Sequence, residues 1–159
     1  MTHTGKTRSA GILANLELAR EALQSGSHSV VMAGGGQILA RERGKGLAPL
    51  LAVLLEVQDV TGDLALADSI VGLAAAYFLL DVPVRAVYAR VISEKAESYL
   101  REHGVHVEAE TQVAQIMNRE GTGMCPLEKI AVESEGPEQA RCRIRGFLHR
   151  MMSQTQGEV

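Results

Sequence analysis

Residues 118–129, "NREGTGMCPLEK", carry the side chains best placed for chemistry. Pro126 suits the first position of a helix, so Cys125 falls at that helix's N-terminus, where the dipole favours thiolate and makes a nucleophile. Gly121, Thr122 and Gly123, with Asn118 before them, would let backbone amides approach an anion at the same terminus. Glu128 lies three residues beyond Cys125, placed to accept from the Cys125 backbone or to take a substrate proton. An architectural reading uses the same residues: the glycines make a tight loop, Cys125 is an N-cap and Glu128 a capping-box acid. A cysteine nucleophile also needs a base, and no histidine is adjacent in sequence. Only folding could bring His28, His103 or His106 close. Cys125 and Glu128 give one soft and one hard ligand, short of the three or four convergent N/S ligands zinc prefers, so neither a metal nor a cofactor is expected.

A second candidate is the stretch "RERGKG", in which Arg41 and Arg43 with Gly44 and Gly46 could hold a phosphate or could simply be solvated. Gly34, Gly35 and Gly36 join strand to strand, so they read as a turn and not as a phosphate cradle. Arg141, Arg145 and His149 form a row at helical spacing that would suit an acidic partner or solvent equally. His103 and His106 flank Gly104, an expected helix C-cap, and read as surface residues.

Composition bounds these options. The chain has 159 residues, 46% of them hydrophobic, enough for one self-sufficient core. We expect a single domain over residues 1–152 and a polar, frayed tail over 153–159. A net charge of −3 and 3% aromatic residues offer neither the field nor the stacking platforms of a nucleic-acid binder. Two cysteines make no disulfide framework, which points to the cytoplasm. The longest apolar run, "SIVGLAAAYFLL" (69–80), is too short for a bilayer that needs roughly 20 residues, so no membrane partner is expected.

The elements that must position these residues follow from periodicity. Ile12, Leu16, Ala19 and Leu23 share one face of a helix over 11–24. "SVVMAGGGQILA" predicts a hairpin, and Pro49 opens a helix with Leu50, Leu51, Leu54 and Leu55 inward. After a turn at 61–63, the apolar run predicts a buried helix over 69–80. "VRAVYARVIS" predicts a strand, Ser93 an N-cap, "EKAESYLREHG" a helix and "VHVEAE" a strand, which together imply a right-handed parallel crossover. A short helix over 111–117, one from Pro126 to about Val132, and a last one from Pro137 complete the chain.

The segments "RERGKGLAPLL", "IVGLAAA", "YARVISEKA" and "NREGTGMCPLEK", in this order, resemble a family catalogued as domain of unknown function 1893, over roughly residues 15–148. The resemblance implies a cytidine-deaminase-like fold, a three-layer α/β/α sandwich with a mixed sheet. Zinc deaminases need a His or Cys with a nearby Glu at the start of the central helix and a Pro-Cys-x-x-Cys at the start of the next. Here those helices open with "ADSIVGLAAA" and "VISEKAESYL", without thiol or imidazole, so zinc-dependent deamination is not expected. The family often carries lysines where this chain has Ser69 and Leu73. Three functions remain open: a binding protein for a nucleotide or nucleotide-sugar, an enzyme using Cys125, or a structural or regulatory subunit of a homo-oligomer.

Overall fold

The computed structural model describes the backbone of residues 2–157 and the side chains of residues 8–154. Six helices and five strands alternate: α1 (Thr2–Ser25), β1 (Val30–Gly34), β2 (Gln37–Glu42), α2 (Ala48–Val57), β3 (Leu64–Val71), α3 (Leu73–Leu79), β4 (Val84–Ser93), α4 (Glu94–Glu102), β5 (His106–Val113), α5 (Pro126–Glu133) and α6 (Pro137–Gly157). The strands form one mixed sheet in the order β2-β1-β3-β4-β5. β1 is antiparallel to both β2 and β3, while β3, β4 and β5 are parallel. Every strand but β1 therefore points the same way.

Alternation along the strands sorts side chains into two layers. Val31, Ala33, Ala65, Ala67, Ala86 and Tyr88 pack against Leu16, Ala19 and Leu23 of α1. Met32, Leu64, Leu66, Val87 and Ala89 face the other way, onto α2, α3, α4, α5 and α6. This is the three-layer α/β/α sandwich with a mixed sheet that the sequence led us to expect.

Two elements differ from expectation. Residues 64–71 are a strand, and the helix expected over 69–80 is confined to Leu73–Leu79. β3 lies at the centre of the sheet and is covered on both faces, so it shows the unbroken apolar run of a doubly buried strand instead of alternation. Gly72, extended at φ −103° and ψ −177°, divides strand from helix. The helix expected over 111–117 is absent. Thr111, Gln112 and Val113 continue β5, paired with Val91, Ile92 and Ser93, and Met117 bridges Met124. Parallel pairing along β4 outweighs the weak local helical pattern.

Other local signals were followed closely. Ser93 Oγ accepts from the Ala96 amide at 3.2 Å and caps α4. Gly104 ends α4 at φ +77°, a conformation that costs glycine least. α1 starts nine residues before the expected helix, and α6 continues through Gly157 into the segment expected to be a polar tail. β5 is an edge strand, exposed along most of its length and carrying Glu108 and Glu110. Among the described residues, no helix is long and apolar enough to cross a membrane.

Candidate functional site

Because β2, β3, β4 and β5 run the same way, the starts of α2, α3 and α4 and the chain leading to α5 gather at one end of the sheet. That is where open α/β sheets generally bind ligands. Glu42, Val30, Asp68, Ala89 and Ala109 pair in one row across all five strands near this end. The candidate site lies at and beyond that row, and three of its groups are fixed by the fold.

The first is Glu128. Its carboxylate crosses from the first turn of α5 to the start of α3, accepting from the Leu73 amide at 2.9 Å and the Ala74 amide at 2.8 Å. Those two donors are among the orphan amides every helix start presents, and a carboxylate there also meets the dipole's positive end. The approach requires glycine at position 72, since a Cβ there would run into the Glu128 carboxylate. Burial pushes the Glu128 carboxyl above its ordinary range, while the Ala74 and Leu73 amides pull it back. It does not close a capping box on its own helix: the Cys125 amide instead donates to the Ile116 carbonyl at 2.9 Å.

The second is the loop of residues 118–123, which is closed on itself. Asn118 donates to Thr122 Oγ1 and accepts from the Thr122 amide, both at 3.0 Å, and its carbonyl accepts from the Gly121 amide at 3.1 Å. The Asn118 amide donates to the Gly123 carbonyl at 2.8 Å. Gly121 has φ +70°, which the turn requires. Cys125 is half-buried at the N-cap of α5, with no hydrogen bond from its side chain to the helix.

The third, Asp68, was missed by sequence reasoning. It sits on β3 with 6% of its surface exposed. Burial drives its carboxyl up to about 8, with the Ile70 and Ser69 amides pulling in the opposite direction. The Ile70 amide reaches Oδ1 only at 3.3 Å. In the sequence Asp68 marks the end of an apolar run. Only the assignment of residues 64–71 to a central strand reveals it as a buried acid.

Arg41 and Arg43 belong to the same end of the sheet. Arg41 is exposed on the edge strand β2, and Arg43 follows directly on Glu42, two strand spacings or about 10 Å from the level of Asp68. α2, which this segment leads into, has no side-chain cap at Leu47. His103 and His106 lie at the opposite end, where β5 begins, and so stand away from Cys125. His28, just before β1, is at the Cys125 end. Arg141 and Arg145 are partly engaged: Arg141 donates to the Tyr77 carbonyl at 2.9 Å, and both lie within 4.0 Å of Asp81.

A zinc ion of the hydrolytic kind does not fit these residues. The starts of α3 and α4 offer backbone amides, the Ser93 hydroxyl and the Glu128 carboxylate, all of them already bonded within the chain. Among the described residues, no group of three or more His, Cys, Asp or Glu side chains could hold a metal.

Comparison with known proteins agrees with this architecture. The family model for a domain of unknown function, DUF1893, matches residues 18–148. The crystal structure of a DUF1893 family protein from Thermotoga maritima is similar at a TM-score of 0.75 and 25% identity, covering 83% of this chain and 88% of that one. Two variants of the protein NE0047, each in complex with 8-azaguanine, align at TM-scores of 0.38 and 0.36 with 14% identity. Both alignments cover 64% of this chain, with 76% and 75% of the other chains. No curated protein matches.

Proposed function

This chain belongs to the DUF1893 family, and we propose that it binds a nucleotide or nucleotide-sugar at the strand-end site without zinc-dependent deaminase activity. The observation that carries this reading is the Glu128 carboxylate seated on the Leu73 and Ala74 amides. The central helix start is thereby satisfied from within, leaving no open position there for a metal-bound water. A ligand phosphate would be taken beside it by Arg41 and Arg43. The loop of Asn118, Gly121, Thr122 and Gly123, whose Asn118, Gly121 and Thr122 amides are already bonded within it, would wall the ligand and not donate those amides to it. Guanidinium groups on an exposed, glycine-bearing segment suit phosphate, and the rigid loop supports a ligand without needing to fold on binding.

The test is native mass spectrometry of the purified protein, followed by thermal melts with a panel of nucleoside phosphates and nucleotide-sugars. A nucleotide should raise the melting temperature in proportion to the logarithm of its concentration. The Arg41→Gln/Arg43→Gln double variant should lose that shift while keeping its own melting temperature. No shift with any of the panel, together with bare mass under native conditions, would remove the nucleotide reading.

A further inference from the structure

At the opposite end of the sheet a groove of ≈ 470 Å³ opens between α1, the start of β4 and the turn from α4 into β5. Its lining includes Arg8, Arg85, His103 and His106 as well as the apolar side chains of Ile12 and Leu13, and no carboxylate is part of that lining. We propose that this groove is a second binding site, for a small organic phosphate monoester whose apolar group rests on Ile12 and Leu13.

Four observations support it. Arg85 is the extra residue of a β-bulge: Leu64 pairs with Val84 and Ala65 with Ala86, so Arg85 has no partner in β3. Bulges of this kind re-aim a side chain that regular alternation would place elsewhere. Secondly, both arginines share one acid. Asp63 accepts from Arg8 Nε at 2.6 Å and from an Arg8 terminal nitrogen at 2.8 Å, and lies 3.4 Å from Arg85 Nε. One carboxylate cannot occupy two guanidinium forks, and the terminal nitrogens of Arg85 remain for a ligand oxygen.

Thirdly, the two histidines are oriented from behind. His103 Nδ1 is 2.8 Å from the Tyr99 carbonyl, which can only accept, so that nitrogen carries the proton and Nε2 is left free. His106 Nε2 bonds Glu108 at 3.1 Å, leaving Nδ1. Finally, the groove has an apolar side: Leu13 is 46% exposed and Ile12 beside it is half-buried, and both line the groove. A phosphate offers oxygens to the Arg8 and Arg85 guanidinium groups on two separate elements and, as its monoanion, a hydroxyl that can donate to a free histidine nitrogen, while a carboxylate offers two oxygens in one plane.

Phenyl phosphate, titrated calorimetrically at constant ionic strength, is the probe. Saturable binding is expected, tighter than for inorganic phosphate, with backbone amide shifts in NMR spectra centred on Arg85, Gly104 and His106. Arg85→Gln should weaken it roughly tenfold or more, the effect of removing a charge-assisted bond. His103→Gln should weaken it less, and Lys95→Gln, at the other end of the sheet, should leave it unchanged. Absence of saturable binding, equal affinity for inorganic phosphate, or unaltered affinity in Arg85→Gln would each overturn the assignment. The result does not depend on whether the strand-end site binds nucleotides.

Discussion

Glu128 and Gly72 act as a pair, because the carboxylate occupies the space a side chain at 72 would need. Glu128→Ala should destabilise the protein by about 2–4 kcal/mol, since it orphans two buried amides and leaves a void. Gly72→Ala should be comparably harmful alone. In the double variant the new methyl enters the vacated space, so the combined loss in urea denaturation should fall well below the sum of the two. Strict additivity would show that the two residues do not share that space. Asp68 gives a test of the opposite kind. Its folded value near 8 lies above its ordinary value of 3.8, so between those two pH values the native protein holds a proton that the unfolded chain has released. Stability therefore declines as pH rises through that window, by several kcal/mol at about 1.4 kcal/mol per unit, and levels off above it. Asp68→Asn should remove most of this decline, gaining little at pH 4 and much at pH 8. An identical pH dependence in the variant would contradict the burial of this acid.

At the level of elements, the most informative difference lies in residues 64–80. Residues 61–80 read as a turn over 61–63 and a buried helix over 69–80, with no strand between them, because a central strand and a buried helix both present continuous apolar sequence. Caps and turns were legible because they depend on local chemistry: Ser93, Gly104, Pro126 and the Gly35–Gly36 turn each stand where the backbone requires them. The partner of Glu128 was not legible, since 55 residues separate it from Leu73 and nothing local indicates the bond. Asp68 and the Arg85 bulge were hidden for the same reason, each being defined by its neighbours across the sheet. Two substitutions check the elements themselves. Ser93→Ala should cost about 1 kcal/mol through loss of the α4 cap. Phe78→Ala should cost about 3–5 kcal/mol, because Phe78 is fully buried where α3 meets the helical layer. Melting temperatures would rank the two, and a milder effect at Phe78 than at Ser93 would argue against α3 as the central packing element.

For the whole molecule, the sheet separates two kinds of surface. One end gathers helix starts and the Glu128 staple, and the other gathers arginine and histidine around an apolar wall. Between them runs the open edge of β5, where Glu108 and Glu110 place charge on a strand whose backbone is free to pair with another chain. Glu108→Val combined with Thr111→Val should therefore promote self-association, seen as increased light scattering at matched concentration. Unchanged scattering would mean that charge is not what keeps that edge single.

The long-range bond of Glu128 also sets an order of events during synthesis. Leu73 and Ala74 leave the ribosome while their acceptor, 55 and 54 residues further along, has not yet been made. At about 5–20 residues per second the interval is roughly 3–11 s. Through that interval the nascent central helix has its first amides open to whatever acceptor is near, and the growing chain must reach α5 before the helix can close. A stall that holds Glu128 inside the ribosome after Leu73 and Ala74 have emerged would prolong that exposed state, and a stall after Glu128 has emerged would not.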